Sequence, residues 1–400
     1  MVSCSNPVDP VSPNPSTEEQ TDVDPPDDDP PTNTSGLDVW TDRCEGYGTI
    51  SFSHSPLDPN DIVTVVPLGT LAGAHVTPID HLYLYPDWNN SAADAFPVRT
   101  MGDGYIKRID RRVHNLSTPD EREEFRIVMQ HSCTFFSYFD LIRVLDPAIL
   151  AAFPELSQPG PPGSAYYSVA GHYFVPGGTE IGRIGGQSLD VAAYNLEKPL
   201  DGFISPDLYK SEFWKQYTDN AFFDYFPSPV RSALLALNYR TAEPRAGKID
   251  HDLPGTLQGN WFEEGTNGYA GLDSDPNTHP GRGYWSTHLA FVPDAFDPEQ
   301  MKLSIGDFNN EAVQFSVKGN GPGFSDVDIN SGVVPYELIR QKIYNSDDPV
   351  QIDMNKEDGP VLGVVLVQIL TGERIRFEVF PDENAAGVQA FTEGVKIYER

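Results

Sequence analysis

The densest group of metal-ligand side chains in this chain is the run 75–81, His-Val-Thr-Pro-Ile-Asp-His, which carries His75, Asp80 and His81. Imidazoles and carboxylates together suit zinc or another divalent ion. Three protein ligands with one open position would acidify a bound water for attack on a carbonyl. Neighbours on a regular strand face opposite ways, so Asp80 and His81 could not both ligate from one.

Other stretches carry weaker chemistry. Asp250, His251 and Asp252 read as a polar turn, and 273–277 has the composition of a calcium loop without its glycine and closing glutamate. Trp261, Tyr269, Tyr284 and Trp285 form either an aromatic platform or core packing. Neither a Gly-x-Ser-x-Gly elbow nor a phosphate-cradling Gly-x-x-x-x-Gly-Lys loop occurs.

The elements that must position these residues are short β runs bounded by glycine turns. Runs at 49–53, 62–68, 82–85, 97–109, 125–131 and 174–190 predict strands, and 141–153 predicts a short helix. Apolar spacing over 207–237 predicts two or three helices. From about residue 247 strand-like runs recur at regular intervals, closing with a hairpin about Thr371-Gly372. The expected fold is mainly β. An acidic Pro-rich tether covers 1–37, a first β domain 38–200, a helical connector 201–246 and an antiparallel β domain 247–400. Gly259-x-Trp261 resembles the opening strand of lipocalin-like barrels, which would give the last domain a barrel and a carbohydrate or lipid ligand.

A second resemblance covers residues 62–195. The order Pro97-Val, Gly102-Asp-Gly104, Arg126-Ile-Val-Met-Gln-His131, Tyr138-Phe-Asp-Leu141, Gly177-Gly-Thr-Glu-Ile-Gly182 and Leu189-Asp-Val191 is similar to that of the lysostaphin-like zinc peptidases. That resemblance implies a β barrel or sandwich in which the Gly102, Gly182 and Asp190 segments meet, and hydrolysis of bacterial cell-wall peptides. In the family a His-x-x-x-Asp segment and the second histidine of a His-x-His strand hold zinc, and the first histidine of that strand is the general base. Here His75 and Asp80 are one residue too far apart, with His81 able to replace His75, and Ser188-Leu-Asp190 stands where His-x-His should be. His131 matches the strand histidine that stabilises the transition state. The expectation is therefore a divergent scaffold that binds or scaffolds at the cell surface. The alternative is a metal-dependent hydrolase with His75, Asp80, His81 and Asp190 as ligands and His131 as the catalytic group.

Composition limits the partners. With 27 Lys and Arg against 59 Asp and Glu, the net charge is −32. Phosphate binding needs a basic surface, so nucleic acid is excluded as an expected partner. The acidity suits either solubility in salty surroundings or calcium binding. The start, Met1-Val-Ser-Cys4, resembles the end of a bacterial lipoprotein signal, which implies a lipid anchor on Cys4 and location in the cell envelope. Two cysteines, Cys44 and Cys133, then remain as a pair able to form one disulfide in an oxidising compartment. The competing reading is three unrelated thiols in a cytosolic protein. Residues 5–37, dominated by Pro, Asp, Ser and Thr, bury too little to fold and suit a surface spacer.

Overall fold

The computed structural model describes residues 40–87, 92–114, 121–157, 166–272, 283–340 and 359–400. The tether with Cys4, the loop 158–164 and the stretch 273–277 lie outside the described residues.

Among its described residues the first half contains ten strands: β1 (Ile62–Val66), β2 (Leu82–Pro86), β3 (Phe96–Arg99), β4 (Gly104–His114), β5 (Arg122–Gln130), β6 (Phe135–Ile142), β7 (Val144–Leu145), β8 (Tyr166–Val175), β9 (Glu180–Ile184) and β10 (Leu189–Asn195). Seven form an antiparallel sheet in the order β1-β2-β10-β6-β5-β4-β8, and β3-β9-β7 form a small second sheet. Strand alternation gives the large sheet two distinct faces. Its inner face presents Ile106, Ile127, Phe139 and Val191 to Val98, Ile181 and Ile184 of the small sheet. Its outer face presents Val128, Phe136, Tyr138, Ala192 and Tyr194, which Trp40, Phe213 and Trp214 cover. Both faces of β6 and β10 are thus buried, which explains their nearly continuous apolar sequences.

This corrects the expectation that the three glycine and aspartate segments share one barrel. Gly182 lies in β9 of the small sheet and Asp190 in β10 of the large one. The chain turns between them at Gly186, whose φ of 74° suits glycine, so the segments share a core but no closed sheet. The run 49–53 is extended but unpaired as a strand, bonding singly through Phe52 to Tyr225 and through Ser53 to Met101. The expected helix over 141–153 shortens to α1 (Pro147–Ala152). Asp146 caps it by accepting from the Ala148 N–H, and Pro147 fits the first turn. The disulfide joins Cys44 to Cys133, with Cα atoms 4.9 Å apart, and ties the segment carrying Trp40 to the turn after β5.

A connector follows: 3₁₀ turns over Pro206–Tyr217 and Phe222–Tyr225, then α2 (Ser228–Ala236). Phe222, Phe223 and Phe226 sink into the inner core beside Phe52.

The second half is a closed antiparallel barrel of β11 (Gly259–Glu263), β12 (His288–Pro293), β13 (Met301–Phe308), β14 (Glu311–Val317), β15 (Val334–Arg340), β16 (Val361–Leu370), β17 (Arg374–Pro381) and β18 (Lys396–Glu399). The hairpin β16–β17 turns at Gly372, at φ 77°. Trp261, Leu289, Phe291, Leu303, Phe315 and Tyr336 fill the interior. The Arg400 guanidinium lies 4.0 Å from the Trp261 ring centroid and donates to the Leu253, Thr256 and Gln258 carbonyls. It therefore links the end of the chain to the strand that opens the barrel. The two halves pack directly, with Leu71 against Ala290 and Val292 and Val66 against Ala295 and Phe296. Among the described residues no helix is long and apolar enough to cross a membrane.

Candidate functional site

Three of the five candidate residues meet on the outer face of the large sheet. Asp80 and His81 sit in an irregular stretch just before β2, so strand alternation does not separate them. The His81 ring stands between two carboxylates. Its Nδ1 is 3.3 Å from Asp80 Oδ1 and its Nε2 is 3.3 Å from Asp190 Oδ2. Ser188, on the approach to β10, donates to Asp190 Oδ1 at 3.1 Å. Tyr83 and Tyr138 flank the imidazole, with ring centroids 5.0 and 5.8 Å away.

The connector supplies the residue that sequence reasoning missed. Lys215 Nζ donates to Asp80 Oδ1 at 3.0 Å, and Trp214 Nε1 donates to Asp80 Oδ2 at 3.1 Å. Glu212 lies 3.2 Å from the same ammonium, and the Tyr269 ring lies 4.9 Å from it. Asp80, His81, Asp190 and Lys215 are all buried. Asp80, Asp190 and the partly exposed Glu212 face the Lys215 ammonium and the His81 ring, so each buried charge has an opposite neighbour, which lowers the penalty of burying it. Burial alone would lower the His81 pKa, but Asp190 and Asp80 outweigh it and push it up to about 10. Burial would raise Asp80, yet Lys215 and His81 hold it well below the usual carboxylate range. Asp190 is raised, because burial exceeds what His81 returns. Flanked by Asp190 and Asp80, the His81 ring favours its imidazolium form.

Of the other two candidates, one borders the ion pairs and one lies apart from them. The half-buried His75 has its ring centroid 6.0 Å from that of His81. His131 belongs to the opposite face. It bonds Ser137 Oγ at 2.8 Å and the Asp103 carbonyl at 2.7 Å, beside Phe52 and Phe135 of the inner core. Burial lowers its pKa to about 4. The sheet separates His131 from His81, so a shared reaction centre is not formed.

The polar outer face continues beyond the ion pairs. Asp140 accepts from Arg112, from Arg126 at 2.9 Å and from the Tyr138 hydroxyl at 2.7 Å. Further along, His114 meets Glu124 at 2.7 Å and Arg108 meets Asp110 at 2.5 Å. Arg108, Arg122, Arg126 and His114 keep part of their surface exposed.

The remaining expectations resolve as packing. Asp250 and Asp252 are not a polar turn. They accept the Gly202, Ile204 and Asn260 N–H groups and fasten the connector to the barrel. Trp261 fills the barrel, while Tyr269 and Tyr284 pack around His288. Among the described residues no three His, Cys, Asp or Glu side chains converge as a metal would require. Both Asp80 oxygens are engaged by Trp214 and Lys215. The chain matches no protein-family profile, no curated protein and no solved structure.

Proposed function

We propose that this chain is an exported, lipid-anchored protein of the bacterial envelope that binds or scaffolds at the cell surface. In this reading the donors to which the lysostaphin-like resemblance pointed now hold the protein's own cations, on two packed sheets in place of the one barrel that the resemblance implied. The observation that carries the reading is the Lys215 ammonium on Asp80, sealed beneath Trp214 and Tyr269. An ammonium there offsets the carboxylate charge but cannot acidify a water. The disulfide supports export, because such bonds persist in oxidising compartments.

The binding surface in this reading is the part of the outer face that the connector leaves uncovered. Among the described residues Arg108, Arg122 and Arg126 line it, each paired with a carboxylate of the chain (Asp110, Glu124 and Asp140) and each keeping part of its surface exposed. Guanidinium groups suit carboxylate-bearing cell-wall peptides, since their planar forks match carboxylate geometry. The test is co-sedimentation with purified cell-wall sacculi. Retention of the protein without release of peptide fragments is expected. Failure of the sacculi to retain it, or retention unchanged in an Arg108→Ala/Arg126→Ala variant, overturns the proposal.

The second reading, a metal-dependent hydrolase with a His/Asp/Asp site, rests on Asp80, His81 and Asp190 being neighbours in space. It requires Lys215 to withdraw and His81 to lose its proton. If His81→Ala and Asp190→Ala leave both metal content and any peptide release unchanged, it fails.

A further inference from the structure

Among the described residues three lysines are buried: Lys107, Lys215 and Lys302. Lys107 donates to the Asp42 carbonyl, and Lys302 donates to Ser316 Oγ at 2.8 Å with Asp294 3.7 Å away. Lys215 differs. Its Nζ lies between two carboxylates, 3.0 Å from Asp80 Oδ1 and 3.2 Å from Glu212 Oε2. The fold thus holds together an amine, a carboxyl group and a second carboxylate able to move a proton. Those are the parts of an acyl transfer within one chain, and their fixed proximity removes much of its barrier.

Both partners are held in place. Just after Lys215, the Gln216 carbonyl accepts the Leu200 N–H at 2.7 Å and the Asp219 N–H donates to the Ala193 carbonyl of β10 at 2.8 Å. The two Asp80 oxygens have different neighbours. Oδ2 accepts from Trp214 Nε1 at 3.1 Å, a donor placed to hold negative charge on that oxygen. Oδ1 faces Lys215 at 3.0 Å and the His81 ring at 3.3 Å. Oδ1 is therefore the oxygen to leave, and Oδ2 the one to keep. The Tyr269 ring lies 4.9 Å from Nζ, and Trp40 stacks on Trp214. With Asp80 and Lys215 themselves buried, bulk water is kept from the pair, so an amide formed there is not hydrolysed.

We infer that Lys215 and Asp80 join in an amide, an intramolecular cross-link between the connector and the segment that leads into the large sheet. Nζ attacks the Asp80 carboxyl carbon, the N–C bond forms and the C–Oδ1 bond breaks. Two of the three ammonium protons leave with Oδ1 as water, and Glu212 carries one of them. Nothing is oxidised or reduced, and no co-reactant is needed. Burial is the largest influence on both groups and opposes their charges, yet their partners prevail, so the ion pair is the resting form. The reactive form has passed one proton along the 3.0 Å bond, with no change in net charge. Freshly folded chain therefore carries the ion pair, stability comparisons made on it read that pair, and the amide accumulates afterwards. The amide rests on the same Lys215–Asp80 contact that carries the surface-binding reading. Retention by sacculi does not depend on the bond, so the two succeed or fail separately.

The test is mass spectrometry of the reduced full chain, followed through prolonged incubation of the folded protein. The mass should fall to one water below that of the sequence. Trypsin should then no longer cut after Lys215, and segment 211–231 should remain attached to segment 44–99, which carries Asp80. Lys215→Arg keeps the charge but has no amine to acylate, and should hold the full mass. Glu212→Gln should slow the loss of water by about a hundredfold or more. The wild-type measurement decides alone if a variant fails to fold. A wild-type chain that keeps its full mass and yields the two segments separately overturns the inference. So does a loss of water without a link between 211–231 and 44–99, a Lys215→Arg chain that loses the water as readily, or a Glu212→Gln chain that cross-links as fast.

Discussion

Lys215 is the residue on which the functional reading turns. Its ammonium and the His81 ring face the buried Asp80 and Asp190 carboxylates and the partly exposed Glu212. Removing one member leaves a buried charge uncompensated, which typically costs about 3–5 kcal/mol, whereas removing a pair together costs far less. Urea unfolding of Lys215→Met should show a loss of that size, and the Asp80→Leu/Lys215→Met double variant should recover most of it. Titration adds a second expectation. Burial lowers His131 and His251 to about 4 and His288 to about 3, from an ordinary 6.5. The unfolded chain then binds protons that the folded chain refuses, so stability is full above pH 6.5 and falls as pH drops towards 4. His81 acts in the opposite sense. Its pKa is raised to about 10, so its contribution is complete below pH 6.5 and is lost as pH rises through 10. Unfolding midpoints across pH 4–11 check both limbs. The sequence showed Asp80, His81 and Asp190 as candidates because their types are conspicuous. Lys215 was hidden, since it stands 135 positions from Asp80 and no local pattern reports such a partner.

At the scale of elements, strand runs bounded by turns were readable because alternation and glycine are local signals. That covers β1, β2 and the β16–β17 hairpin. The run 49–53 misled for the opposite reason: its β-prone composition found no partner strand. The assignment of Gly182 and Asp190 to different sheets depends on which strands pair, which alternation does not encode. Two closures can be tested directly. Cys44–Cys133 spans 89 residues of chain, and a Cys44→Ser/Cys133→Ser variant should lose about 2–4 kcal/mol in urea unfolding. Arg400 closes the barrel on Trp261, so Arg400→Ala should lower the thermal midpoint and raise hydrogen exchange in β11 and β18 before the large sheet is affected.

For the whole molecule, a mainly β chain was legible from strand spacing. The way the halves meet was not. Tyr269 belongs to the segment between β11 and β12, yet it packs beneath Lys215, and Leu71 of the first half lies on the barrel wall. The barrel segment thus helps seal the ion pairs of the sheet, which ties the two halves into one account. Asp80 and Asp190 thus hold the Lys215 ammonium and the His81 ring where the resemblance would place a metal. The most direct test is zinc content, measured by elemental analysis after the full chain is equilibrated with excess zinc and gel-filtered, with release of cell-wall peptides assayed on the same sample. The account predicts no zinc retained above that of an Asp80→Ala/Asp190→Ala variant, and no peptide released. One zinc per chain, lost together with peptide hydrolysis in that variant, would contradict it.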